Sequence, residues 1–516
     1  MALYVHAQED GFMRSTYRYP LLAILALVAS LLGTGFAHAE ITDVAGSTGQ
    51  TGITLQSQDA TGVDLHFEMG YYKVDALEIN GETVQKVSMP GVFLPNDAGA
   101  PDLPGVSCFV AVPQGATASY EIVASRVRTV HGYDLGPAPV IPRENDDSPL
   151  VYARDLAIYS RNAYYPESSV MVSEPTLMRG LDVVAVGITP FQYNPVTKEL
   201  KIFTEFDLRV TFHGGNGQFG EDALRSRYWE PILRNNVVNY ASLPEIDFNR
   251  PTMNREGYEY VIISPDNPDF VAWADTLADW RTLQGIKTGV FTTTDIGGTS
   301  STAIENFLND AYDNWEVRPV AFLLLGDYPN SGDRDTGITS PTWGGYCVSD
   351  NIYADRNGND LPDMAHGRIC ARDAGELQTM IGKMLSYERE PITNQHYYDH
   401  PVIAGGWQTE RWFILCTEIC LGHQVNVLGK EPVREYAIYS GTPGSSWSTN
   451  QNTYMLLDYF GPEGLGYIPS TPQHLTDWGG NAARLNNDLN QGAYMLLHRD
   501  HGYELGWGEP DYNNGD

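Results

Sequence analysis

Val320-Ala321-Phe322-Leu323-Leu324-Leu325 is a compact apolar run that stops at Gly326-Asp327. It is too short for a helix, has no alternation and is bounded by turn residues, so it reads as a strand buried on both faces. Outward from it the pattern repeats. Tyr260-Val261-Ile262-Ile263-Ser264 is a second such run, and Lys287 to Phe291 a third. Between them, Phe270, Trp273, Leu277, Trp280 and Leu283 recur at helical spacing, with Asp269 as the expected N-cap and Gly285 at the end. Ser301 to Asn314 reads as a second helix. Strand, helix, strand, helix, strand implies parallel pairing through right-handed crossovers. Sites in such sheets form at the carboxyl ends of strands, which draws attention to Asp327. The same alternation continues with a helix over Gly375–Tyr387, a strand over Pro401–Gly406 and a helix over Trp412–Leu428. A further helix is expected over Gln451–Phe460. A buried strand, Ala493-Tyr494-Met495-Leu496-Leu497, then runs into His498-Arg499-Asp500-His501-Gly502.

Toward the N-terminus the periodicity changes. Val74, Ala76, Leu77 and Ile79 lead into Asn80-Gly81, a hairpin signal. Ser119–Val123, Val183–Ile188 and Phe191–Tyr193 are strand candidates, and Glu199 to Val210 alternates apolar and polar residues as a half-buried strand does. Residues 64–240 therefore read as an antiparallel, sandwich-like β domain. Residues 40–63, rich in Gly, Ser, Thr and Gln, read as a flexible segment. Residues 241–257, with Pro244, Pro251, Arg250 and Arg255 and no periodicity, read as a linker. The expected architecture is multidomain: the β domain followed, over 258–516, by an α/β domain with a mainly parallel sheet. No internal repeat is visible.

Arg14 and Arg18 precede the apolar run Leu21–Leu32, which ends in Ala37-His38-Ala39. A basic start, a short apolar stretch and small residues before the cut site describe a secretory signal peptide over 1–39. A membrane anchor needs about twenty apolar residues, longer than this run. The 516 residues carry 32 Lys and Arg against 65 Asp and Glu, a net charge of −33. Such a chain repels phosphate backbones, which argues against nucleic-acid partners. Apolar residues at 42% exclude global disorder. The five cysteines, Cys108, Cys347, Cys370, Cys416 and Cys420, are too sparse for a disulfide scaffold. Cys416, Cys420 and His423 have a metal-like spacing, but they lie in an apolar helical pattern where small buried thiols are the simpler reading.

His501-Gly502-Tyr503-Glu504, with Trp507-Gly508 behind it, is the strongest chemical signal. A histidine just past a buried strand stands at a sheet edge, where it can act as general acid or base. A glycine lets substrate approach a backbone N–H that stabilises an oxyanion. A turn histidine beside a structural glycine is the plain alternative. His498, His501 and Glu504 also have a helical metal-ligand spacing, although a strand context would prevent their converging. Asp355, Asn357, Asp360 and Asp363, with Gly358 among them, resemble an oxygen-donor loop for structural calcium, or else an Asx-rich turn.

Taken together these stretches carry a resemblance. The strand into Leu325-Gly326-Asp327 is followed by Ser349-Asp350-x-x-Tyr353 and His366-Gly367-Arg368. Glu376-Leu377-Gln378 and Tyr387-Glu388-Arg389 come next, and then His501-Gly502-x-Glu504-x-x-Trp507-Gly508. In order and spacing they are similar to the catalytic domain of gingipain-type cysteine peptidases, whose fold is caspase-like. The β region before them, including Pro101-Asp102-Leu103-Pro104, resembles that family's propeptide. The resemblance implies an exported cysteine endopeptidase zymogen, with protein or peptide substrates and its own propeptide as partner. No cofactor is implied for catalysis. His501 becomes the catalytic histidine and Gly502 an oxyanion donor. Glu410 becomes the orienting acid, with Trp407 competing for the position, and Glu418 the acid that would bind an Arg or Lys side chain of substrate. Prodomain removal would fall at Arg250 or Arg255. The family's nucleophilic cysteine follows the next strand, whereas no cysteine follows His501 here. The expectation is a fragment of a longer reading frame or a product inactive alone. Two other readings stand beside this one: a non-catalytic secreted calcium-binding or adhesive module on a peptidase-like scaffold, and a metal-dependent hydrolase using His498 and His501.

Overall fold

The computed structural model describes residues 40–44, 47, 49–89, 97–141, 148–220, 224–248, 255–329, 336–345, 347–450, 453–503 and 505–516. The expected signal peptide, Arg250 and Glu504 lie outside the described residues.

In the first half every strand ladder is antiparallel. The long strand Glu199–Gly214 is the axis, pairing with Gly62–Glu68, Phe191–Asn194 and Ala116–His131. Its Leu200, Ile202, Phe206, Leu208 and Val210 are buried, the inward set of a period-two pattern. A second sheet joins Val106–Ala111, Leu181–Ile188 and Val170–Val172. A third joins Tyr71–Ile79 to Glu82–Ser88 through Asn80-Gly81, both at positive φ (52° and 82°), as a two-residue hairpin turn requires. All three sheets feed one apolar cluster that includes Phe67, Phe206, Val184, Tyr72 and Val87. Residues 40–63, expected to be flexible, are not simply so. Gly52–Asp59 is a strand on Gly62–Glu68, and Glu40–Asp43 pairs with Tyr71–Val74. Ile53 and Leu55 pack on the core at alternate positions, a signal hidden by the polar composition around them.

The second half holds two parallel sheets where a single one was expected. The first has the order Thr288–Thr292, Tyr260–Ser264, Ala321–Leu325, Ala365–Ile369. The second has the order Val433–Ser440, Val402–Gln408, Leu496–Arg499. The helix after the first strand runs Pro268–Leu283, and its cap is Asn267, not Asp269. The Asn267 carboxamide oxygen accepts from the amides of Asp269 and Phe270, Pro268 opens the helix, and Asp269 falls inside the first turn. The strand expected to be buried at 493–497 starts at Leu496, runs through His498 to Arg499, and is only half-buried. The helix Phe413–Asn426 packs on the second sheet. Ile403 and Trp407 point into one apolar cluster, while Val402 and Ala404 point into another.

The two halves touch through polar contacts. Arg179 is buried between Trp229 and Tyr312, and its guanidinium donates to the carbonyls of Asp363 (2.5 Å) and Pro319 (2.9 Å). Lys73 pairs with Glu463 at 2.7 Å and Lys86 with Asp458 at 2.9 Å. Arg255, in the linker, donates to the Glu316 carbonyl. Among the described residues no helix is long and apolar enough to cross a membrane.

Candidate active site

The Leu496–Arg499 strand ends at the carboxyl edge of the second sheet, and Asp500 carries the chain to His501. The His501 carbonyl accepts from the Gly508 amide at 2.7 Å, which closes the loop beneath the side chain. The half-buried imidazole meets Tyr439 at 4.9 Å and the edge of Phe413 at 5.3 Å between ring centroids. Its Nε2 lies 2.8 Å from the Oε1 of Gln408, the last residue of the neighbouring strand. Gln408 in turn donates from its Nε2 to the Glu410 carboxylate.

Glu410 is therefore not in contact with His501, as the orienting-acid expectation required; the intervening amide is. Trp407, the competing position, is buried against Trp478 at 5.6 Å, in the cluster on one side of the sheet. The sequence did not reveal Gln408 because the ladder to Val433–Ser440 shifts register between Trp407 and Gln408. A bulge re-aims a side chain that simple alternation would send elsewhere.

Gly502 is exposed and opens a short hairpin, pairing with Trp507. A Cβ there would meet nothing nearer than Gly506 O at 3.9 Å, and its φ is not positive. Among the described residues, local packing gives no reason for glycine at this position. Gly406 is different. The Asp500 carboxylate occupies the space of a Cβ, at 2.4 Å, so no larger residue fits. Burial raises the Asp500 carboxyl above its usual range.

Several expected sites come apart. His498 stacks on Trp507 (3.9 Å, 11°) and hydrogen-bonds the Glu509 carbonyl, while burial lowers its basicity. It does not converge with His501 on a metal. In the loop read as a calcium site, Asp355 accepts from the amides of Gly358, Asn359 and Asp360. Asp363 accepts from the amide of Arg356 and the side chain of Asn357, and Asp360 from the Trp343 indole. The carboxylates tie a turn together rather than face a common point. Among the described residues no group of three His, Cys, Asp or Glu is placed to hold a metal ion.

Glu418 is buried, against the picture of an open acid awaiting a substrate cation. Its carboxylate accepts from Arg434 (2.6 and 3.0 Å), from the Tyr436 hydroxyl (2.7 Å) and from His474 (3.0 Å). Burial alone would raise this carboxyl, but the Arg434 guanidinium overrides burial and holds it below its usual value. No two cysteines form a disulfide. Cys416 is half-buried and Cys420 exposed, so the expectation of two buried thiols holds poorly. Burial pushes the Cys108 thiol up to about 12, the wrong direction for a nucleophile.

The sequence is similar to those of known proteins. Residues 254–516 match the profile of Peptidase family C25, and residues 48–242 match that of its propeptide, Propeptide_C25. Lys-gingipain of Porphyromonas gingivalis is 25% identical over 401 residues, covering 74% of this chain and 22% of its own length. Gingipain R2 of the same organism is 27% identical over 345 residues, covering 63% of this chain and 44% of its own length. The solved complex of Porphyromonas gingivalis RgpB pro- and mature domains aligns with a TM-score of 0.34 at 24% identity, over 37% of this chain and 97% of that one. The chain thus spans less than half the length of these curated relatives. Because the family profile covers just over half of the chain and the propeptide profile most of what precedes it, the chain belongs to peptidase family C25, the gingipain-type cysteine peptidases with a propeptide.

Proposed function

We propose that the chain is the precursor of an exported cysteine endopeptidase in which His501 is the general acid and base. The nucleophilic cysteine would lie in polypeptide following residue 516. The observation that carries this reading is the His501 imidazole at the carboxyl edge of a parallel sheet, held through Nε2 by Gln408 beside the exposed Gly502. In the reaction, the thiol proton passes to His501 Nδ1 and the thiolate attacks the scissile carbonyl carbon. A C–S bond forms, and the carbonyl oxygen takes the negative charge beside a donor such as the Gly502 N–H. The imidazolium then gives its proton to the leaving nitrogen as the C–N bond breaks. Water, deprotonated by the same imidazole, hydrolyses the thioester.

The relatives' names speak of Lys and Arg. In this chain Glu418 already has Arg434, Tyr436 and His474 as partners, so selectivity for basic substrate residues is not assigned to it. Residues 48–242 act as the propeptide, docked through Arg179, Lys73 and Lys86 and removed by cleavage at Arg250 or Arg255. Export through the leader at 1–39 delivers the zymogen to the cell surface or exterior.

The test is to sequence the coding region past codon 516, express the complete product and follow hydrolysis of fluorogenic peptides. The expected result is a cysteine downstream and loss of hydrolysis by at least about a hundredfold in His501→Ala, the scale of a general acid–base group. Equal hydrolysis in the variant would remove His501 from the mechanism. A stop codon at 517 with no hydrolysis would favour the non-catalytic module.

A further inference from the structure

The geometry points to Gln408 as the positioning residue for His501, with Glu410 setting the Gln408 amide the right way round. This rests on the reading of His501 as the catalytic base and goes beyond it by naming what selects the working nitrogen.

An ionised carboxylate can only accept hydrogen bonds, so the end of the Gln408 amide that faces Glu410 is its NH2 group. The carbonyl end is then turned to His501, at 2.8 Å from Nε2. Two acceptors do not pair, so Nε2 carries the proton and donates it to Gln408 Oε1. In the neutral ring, Nδ1 is then left with the lone pair. Glu410, two residues beyond Gln408, acts on the ring through the amide and not by contact. The ring is held independently by aromatic contacts with Tyr439 (4.9 Å) and Phe413 (5.3 Å). Packing therefore fixes where the ring lies, and the Glu410–Gln408 pair fixes which nitrogen works.

A neutral amide also differs from a carboxylate in what it does to the charged ring. It holds the Nε2–H without a negative charge to stabilise the imidazolium. Replacing it by an acid should keep the orientation and favour the protonated ring.

The experiment is long-range 1H–15N NMR on histidine-labelled protein of the full 516-residue chain, with the His501 signals assigned by their loss in His501→Ala. The expected result for the wild type at neutral ring charge is a protonated Nε2 that exchanges slowly and an unprotonated Nδ1. In Gln408→Met, a close isostere, exchange of the Nε2 proton should accelerate about tenfold, as loss of one hydrogen bond implies. Glu410→Gln, which lets the amide face either way, should accelerate it as well. Gln408→Glu should keep Nε2 protonated and move the ring's titration midpoint to higher pH than in the wild type. Thermal midpoints measured alongside show whether each variant is folded, and Glu410→Gln provides the test should Gln408→Met be unstable. A wild-type ring protonated at Nδ1, or unchanged exchange in both Gln408→Met and Glu410→Gln, would overturn the proposal. These results are independent of hydrolysis. His501→Ala can leave peptidase activity intact, sinking the peptidase reading, while the Nε2 proton still depends on Gln408.

Discussion

The carboxyl edges of the two parallel sheets hold similar residue types to opposite effect. At the edge of the Tyr260–Ile369 sheet, Arg368 donates to both oxygens of Asp350 (2.8 Å each), to the carbonyls of Gly326 and Ile338 (2.8 Å each) and to Ser340 (2.9 Å). A guanidinium has five N–H donors, and these five contacts use all of them. Burial would raise the Asp350 carboxyl, but Arg368 and Ser340 hold it below its usual value. At the edge of the Val402–Arg499 sheet, the His501 imidazole pairs through Nε2 with Gln408 Oε1 at 2.8 Å and, among the described residues, makes no other side-chain hydrogen bond. Topology says where a site can form. Which edge becomes one depends on whether the polar groups there satisfy each other.

The comparison can be broken from its closed side first. Arg368→Met strips its donors from the half-buried Asp350 carboxylate, which keeps the Ser340 hydroxyl, and from two carbonyls, and should cost about 3–5 kcal/mol in a urea titration. A loss below about 1 kcal/mol would mean that the first edge is not held by this network. The second effect is smaller and depends on pH. In the second sheet, burial pushes the Glu435 carboxyl up to about 7, which Arg484 only partly offsets. A carboxyl raised on folding lends stability below its unfolded value, near 4.5, and that stability is lost as pH rises through about 7. The wild type should therefore lose on the order of 1–3 kcal/mol between pH 5 and 8, and Glu435→Gln should flatten that slope. A slope unchanged by the substitution would contradict the assignment. The smallest effect is expected at the open edge. Gly502→Ala adds a Cβ into empty space, so stability should change by less than about 0.5 kcal/mol. On the proposal that substrate approaches the Gly502 backbone, hydrolysis by the complete product should fall nonetheless. A large loss of stability would show that Gly502 is structural.

Much of the fold was legible. The apolar runs at 260–264 and 320–325 and the helical spacing between them give strand-helix-strand order directly, and Asn80-Gly81 gives its hairpin. What was not legible depends on long-range pairing. No local pattern tells that Val402–Gln408 pairs with Val433–Ser440 and Leu496–Arg499 instead of extending the first sheet. The edge strand Gly52–Asp59 buries only part of one face, too little apolar signal to stand out from Ser, Thr and Gln. The place of His501 and Gly502 just past a strand end could be read, because a glycine beside a strand-end histidine is a local pattern. Gln408 could not, since the register shift that aims it exists only once the strands pair. The acidic loop at 355–363 misled for a related reason. Composition counts carboxylates, whereas only geometry shows Asp355 already bound to three backbone amides.

The most direct measurement of the central claim is covalent labelling of the complete gene product with a peptidyl thiol-directed inhibitor, mapped by mass spectrometry, in the wild type and in His501→Ala. The account predicts rapid labelling of one cysteine in the wild type, slowed by at least about a hundredfold when the imidazole is removed. Labelling at the same rate in both proteins, or none in either, would contradict it.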